Sequence, residues 1–101
     1  MAAYVISEVK LLDKEAAANY MRHAAASIEK YDGHYLARGV DPVVVEGEST
    51  DRKIVIVEFP SLERAKEWYT SPAYAEALQF RNKALERKLT FVDGVAQFAA
   101  Q

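Results

Sequence analysis

Three charged residues sit where their side chains could do more than meet solvent: Arg81, Arg38 and Glu58. In the stretch from Ala73 onward, Tyr74, Ala77, Leu78, Ala84 and Leu85 recur at the spacing of one helix face. At ~100° per residue, Arg81 falls near the middle of that apolar stripe, away from Glu76, Gln79, Lys83 and Glu86. A guanidinium aimed at a core keeps its proton, so it needs an anionic partner. If Glu58 or Glu46 supplies it, or if the guanidinium lies over tyrosine rings, Arg81 is structural. If a ligand carboxylate supplies it, Arg81 is an anion clamp.

Arg38 falls in a strand pattern and, by strict alternation, shares a face with His34 and Leu36. It is either an edge charge that discourages sheet-to-sheet association or a second cationic contact for a ligand. His34 and Glu58 are the two side chains able to accept a proton near such a site. His23, the other histidine, falls toward the polar boundary of a helix. Two histidines at this separation match no zinc or haem spacing, and no cofactor or metal is expected. Trp68, Tyr69 and Tyr74 gather around a Ser71-Pro72 break and form either core packing or one wall of a small pocket.

The elements that must position these residues follow from hydropathy and breakers. Ala3 to Leu12 reads as a strand. Asp13 is a helix N-cap with Glu15 in the first turn, and Ala17, Met21, Ala24, Ile28 and Tyr31 mark the buried face of the helix that follows. Asp32-Gly33 ends it, with glycine expected in the left-handed C-terminal position. His34 to Val40 is a second strand, interrupted at Asp41-Pro42 and expected to resume over Val43 to Glu48. The polar stretch Gly47 to Arg52 turns the chain into Lys53 to Phe59, the strongest strand signal present. Ser61 caps a second helix, which breaks at Thr70-Ser71-Pro72. Ser71 caps its continuation from Ala73 to about Arg87. Leu89 to Ala96 is the last strand, with a kink at Asp93-Gly94. The order β-α-β-β-α-β is the ferredoxin-like arrangement, an α+β fold with a four-stranded antiparallel sheet.

That sheet has two apolar faces. Val55, Val57 and Phe59 point one way, and Ile54 and Ile56 the other; Val5 and Val9 oppose Tyr4 and Ile6. Two helices cover only one face, so the other is expected to pack against a second copy, giving a homodimer joined through its sheet faces.

The chain has 101 residues, half of them hydrophobic, and a net charge of -2. The length fits a single domain over residues 1–101, and the charge argues against nucleic-acid binding. No cysteine is present, so there is no disulfide, thiol nucleophile or Cys-ligated metal. The longest apolar run, Met1 to Ile6, is too short to span a membrane, and a soluble, cytoplasmic protein is expected. RNA-binding RRM domains share this element order but place stacking rings on the third strand, where Lys53 to Phe59 is mostly aliphatic. The nucleotide-binding, nucleophile-elbow and HExxH zinc motifs are absent.

The segments Glu46-Gly47, Val57-Glu58-Phe59-Pro60-Ser61, Ala65, Trp68-Tyr69, Ser71-Pro72-x-Tyr74 and Arg81 resemble the domain of unknown function 1330 family. Tyr35-Leu36-Ala37-Arg38-Gly39 fits its second strand, and the resemblance runs from about Ala3 to Gln97. The chain departs at Asp32, where the family often has glycine, at His34, where it has a basic residue, and at Val40, where it has glycine. The resemblance implies a dimeric α+β barrel, a superfamily that includes cofactor-independent monooxygenases, muconolactone isomerases and haem-dependent chlorite dismutases. Its recurring polar positions fall on Arg38, Glu46, Glu58, Ser71, Tyr74 and Arg81. The family carries no established reaction, so fold is implied and function is not.

Two functional classes follow. In one, a pocket between sheet and helices, lined by Trp68, Tyr69 and Tyr74, binds or transforms a small anionic or carbonyl-containing molecule held by Arg38 and Arg81. Glu58 or His34 is then the proton acceptor. In the other, the dimer is a non-catalytic structural, sensor or accessory module whose interior is filled and whose charges pair internally.

Overall fold

The structure is a computed structural model and describes residues 1–95. Its elements are β1 (Ala3–Leu11), α1 (Lys14–Lys30), β2 (His34–Val40), β3 (Lys53–Phe59), α2 (Leu62–Tyr69), α3 (Pro72–Ala84) and β4 (Leu85–Asp93). The four strands form one antiparallel sheet in the order β2-β3-β1-β4. This is the ferredoxin-like arrangement, with its second helix divided in two. β2, which leads into Pro42, is an edge strand.

All three helices lie on one face of the sheet. The alternating residues Val5, Val57 and Phe59 point to that inner face and are buried. On α1 the buried set is Ala16, Ala17, Tyr20, Ala24, Ser27 and Ile28. Met21, expected in that set, is exposed, and Tyr20 takes the central place. The alanines let α3 approach closely through Tyr74, Ala77 and Ala84, which are fully buried.

Local signals set the helix ends. Asp13 accepts from the Ala16 amide at 2.8 Å, Ser61 from Arg64 at 3.0 Å and Ser71 from Tyr74 at 3.1 Å, each cap contributing about 1 kcal/mol. The turn after α1 corrects the expectation for Gly33. Asp32, not Gly33, adopts the left-handed conformation, with φ at 67°. Glycine is required at 33 for a different reason: a Cβ there would lie 2.6 Å from the Phe59 ring and 2.9 Å from Ile28.

Three further boundaries differ from expectation. Val43 to Glu48 forms no strand; Val43 and Val45 stand 88% and 90% exposed in the connection between β2 and β3. α3 stops at Ala84, and Leu85 to Arg87, expected to be helical, begin β4. That strand ends at Asp93, and Ala96, its expected last residue, lies outside the described residues. Among the described residues no helix is long and apolar enough to cross a membrane.

Candidate functional site

A cavity of about 420 Å³ lies between the inner sheet face and α1. Its walls are chiefly apolar: Val5, Val55 and Val57 from the sheet, Ala24 and Ile28 from α1, and Trp68 from α2. Only a few polar groups interrupt them. Arg87 enters from β4, Tyr20 from α1 and Ser7 from β1, with Tyr35, Arg38 and Lys53 from β2 and β3. No aspartate, glutamate or histidine lines it.

Arg87 is the chemical centre of this arrangement. One terminal guanidinium nitrogen donates to the Tyr20 hydroxyl at 2.6 Å, and the other to the Tyr74 hydroxyl at 2.6 Å. The two hydroxyls are themselves 2.5 Å apart. Each phenol oxygen thus accepts from arginine, and one of the two phenol protons is spent between them. The second has no acceptor among the described residues. The guanidinium also keeps N–H donors beyond the two it uses. Arg87 makes no salt bridge among the described residues. A partly buried cation whose only protein partners are neutral phenols leaves a positive charge uncompensated beside an apolar cavity.

Titration behaviour follows from the same surroundings. Burial, and then the neighbouring Tyr20, pushes the Tyr74 phenol far above its ordinary value of 10.0, while Arg87 pulls weakly the other way. Tyr74 is therefore a neutral donor or acceptor throughout the physiological range. Burial also raises Tyr35, against the opposing pull of Arg38. For Arg87, burial alone would lower the pKa, but the two phenol oxygens outweigh it and the net direction is upward.

Tyr74 is held in place from behind. Ser71 caps α3 and donates to the Trp68 carbonyl at 2.7 Å, locking the α2–α3 junction. The Trp68 and Tyr74 rings pack at 4.1 Å between centroids, and the indole N–H donates to Ser27 at 2.9 Å. Tyr69 closes the cluster at 5.7 Å from Tyr74.

The expected site residues divide between three places. Trp68 lines the cavity, and Tyr74 reaches its edge through the Arg87 hydrogen bond. Tyr69 and Arg81 line a separate, shallower depression beside Leu12, Asn82 and Glu86, reached by Arg87 from the other side. Arg81 does sit on the half-buried side of α3, but it pairs with neither Glu58 nor Glu46. Arg38 lines the cavity, because a bulge reverses the expected alternation of β2. The pairing shifts between Tyr35 and Ala37 and again after Arg38, where Gly39 has φ at 66°. Arg38 thus stands opposite Val55 on the inner face, its guanidinium 4.4 Å from the Tyr35 ring centroid. His34 stands instead opposite Glu58, and the two pair at 2.9 Å on the outer face. Neither lines the cavity, so within one protomer the two expected proton acceptors lie across the sheet from it. Glu46 is exposed in the β2–β3 connection. His23 stacks on Phe80, with ring centroids 5.5 Å apart, between α1 and α3. Among the described residues no group of three or more His, Cys, Asp or Glu is placed to hold a metal.

Sequence reasoning missed Arg87, Tyr20 and Ser7. The usable signal for Arg87 was alternation: Leu85, Arg87, Leu89 and Phe91 read as one strand face with a cation in it.

The outer face contrasts with this cavity. It carries Tyr4, Ile6, Ile54 and Ile56, half-exposed, beside exposed Leu36 and Val92. Ile6 pairs with Ile56 in the register, so the apolar residues are contiguous across the central strands.

A ferredoxin-like α+β sheet with an apolar outer face and an inner cavity defines the class of protein. Within that class, the chain belongs to the family described as domain of unknown function (DUF1330), whose model matches residues 2–95. It is similar in structure to a protein of unknown function from Rhodopseudomonas palustris, with a TM-score of 0.76 and 21% identity over 94% of this chain and 83% of that one. A dimeric protein of unknown function with a ferredoxin-like fold from Bacteroides fragilis matches with a TM-score of 0.54 and 19% identity, covering 92% of this chain and 96% of that one. A protein provisionally described as an antibiotic biosynthesis monooxygenase, from Caulobacter crescentus, matches with a TM-score of 0.61 and 14% identity over 94% of this chain and 91% of that one. At these identities the likeness is one of fold. No curated protein matches the chain.

Proposed function

We propose that the protein binds a small amphipathic organic anion, a carboxylate or an enolate-like oxyanion, in the cavity between sheet and α1. The observation that carries this reading is Arg87: a partly buried cation bonded to two phenols and, among the described residues, to no carboxylate, at the wall of an apolar cavity. An anionic oxygen placed there meets N–H donors and the spare phenol proton, while its apolar body fills the remaining volume. Arg38 adds positive charge to the same wall and favours the approach of anions, whereas Lys53 on that wall is paired with Asp41. If the bound molecule reacts, these donors supply oxyanion stabilisation, and they do so without a protein base in the wall.

The reading extends to assembly. The contiguous apolar outer face is the surface for a second copy, and a dimeric relative of the same fold supports this. The cavity then opens away from the contact, on the helix side of each sheet.

The test is a thermal-shift comparison of octanoate with octanol. Octanoate is expected to raise the melting midpoint of the wild type by mass action and to leave Arg87→Met unmoved; octanol is expected to shift neither. Equal shifts by acid and alcohol, or none by either, would overturn the anion reading.

A further inference from the structure

Ser7 carries a second, independent piece of information about the ligand. Its hydroxyl is the one buried side-chain polar atom without a hydrogen-bond partner among the described residues, in a residue 5% exposed. It lies on the cavity floor, between Val55 of β3 and Leu89 of β4 in the register. Arg87 stands opposite Val9, one step further along the same face of β1. Diagonal neighbours of this kind are roughly 7–8 Å apart, their Cβ atoms somewhat less. A chain can place valine or alanine in a strand floor at little cost, but an unmet buried hydroxyl is costly. The apolar neighbours Val5, Val55, Val57 and Leu89 offer it nothing.

Resting on the anion reading above, we infer that the ligand carries a second oxygen function, a hydroxyl or carbonyl set back from its anionic group, and that Ser7 recognises it. The cavity then reads two features at once. The Arg87–Tyr20–Tyr74 cluster takes the anion, and the Ser7 hydroxyl takes the second oxygen, donating to a carbonyl or pairing with a hydroxyl. The apolar walls between them fit the intervening carbon chain or ring. The ligand class is a hydroxy- or oxo-carboxylate, distinguished from a simple fatty acid by Ser7 alone.

The experiment is calorimetric titration of wild type, Ser7→Ala and Arg87→Met with octanoate and with hydroxyoctanoates bearing the hydroxyl near the carboxylate, at mid-chain and at the terminal carbon. At least one hydroxylated probe is expected to bind wild type on the order of tenfold more tightly than octanoate. Ser7→Ala is expected to erase that advantage while leaving octanoate affinity unchanged, and Arg87→Met to weaken every probe. If octanoate binds and no hydroxyl position improves it, or if the improvement survives Ser7→Ala, the Ser7 inference is wrong and the anion site stands. If octanoate and its hydroxylated forms all fail to bind wild type, the anion reading fails and this inference with it. Melting curves of Ser7→Ala confirm that the comparison is made on folded protein.

Discussion

The two faces of the sheet handle charge in opposite ways. On the outer face His34 and Glu58 stand opposite one another at 2.9 Å, each other's partner, among half-exposed isoleucines. On the inner face Arg87 is partly buried, fixed by two tyrosines and, among the described residues, left without an anion. The outer pair is self-sufficient and lies on the apolar face proposed above as the dimer contact. The inner cation is prearranged for something that the described residues do not supply. A charge satisfied within the chain needs no ligand; one held beside a cavity with no anion among the described residues is the basis of the ligand site proposed above.

The largest effect that would break this contrast is on the outer face. Ile56→Lys places an ammonium in the expected dimer contact, an uncompensated charge costing roughly 3–5 kcal/mol. Sedimentation should then show monomer at concentrations where the wild type is dimeric. Because Ile56 is only half-buried in the single chain, the variant should keep its fold and its cavity. A dimer that persists would remove the outer face from the interface.

Next comes Arg87→Met, on the inner face. Loss of charged hydrogen bonds worth about 1.5–3 kcal/mol weakens anion binding by roughly ten- to a hundredfold. In the variant Tyr20 and Tyr74 keep their bond to one another, and no partly desolvated cation remains to be offset. The ligand-free melting midpoint should therefore equal or exceed that of the wild type, the pattern of a residue kept for function. A large drop in that midpoint would make Arg87 structural.

A smaller effect concerns alkaline pH. Burial raises Tyr74 and Tyr35 above the ordinary 10.0. For a group whose folded pKa is raised, stability is fully present below the unfolded value and declines as pH rises from there through the folded value. Stability should fall above about pH 10, and Tyr74→Phe should flatten that fall. Phenolate absorbance should show two of the six tyrosines ionising late. The smallest effect is at Arg38, exposed and resting on Tyr35. Arg38→Met should reduce octanoate affinity only a few-fold, in line with the ~0.2–1 kcal/mol of an exposed ion pair, and more at low salt than at high.

Much of this architecture was legible in the sequence. Asp13, Ser61 and Ser71 marked three helix starts, and the alternation of Lys53 to Phe59 gave both faces of β3. The cation on the cavity wall was not legible. Helical periodicity turned Arg81 toward the interior, and the structure puts Arg87 on the cavity wall, in a stretch expected to be helix and found as strand. The error arose at the α3–β4 junction, which has no intervening loop. Leu85, Glu86 and Arg87 favour helix intrinsically, yet they pair with Leu11, Lys10 and Val9 of β1, so tertiary pairing overrode propensity. No glycine or proline marks that boundary. The misplacement of Arg38 has a similar origin: strict alternation has no provision for a bulge, and Gly39 was its only local sign. Val43 to Glu48 has strand composition but no strand to pair with, and composition alone cannot supply one.

The most direct test of the anion site uses Trp68, the only tryptophan and part of the cavity wall. Octanoate is titrated into wild type, Arg87→Met and Arg81→Met while indole fluorescence is followed. A saturable change is expected in the wild type and in Arg81→Met, and none over the same range in Arg87→Met. Saturable binding by Arg87→Met at wild-type affinity, or its loss in Arg81→Met alone, would contradict it.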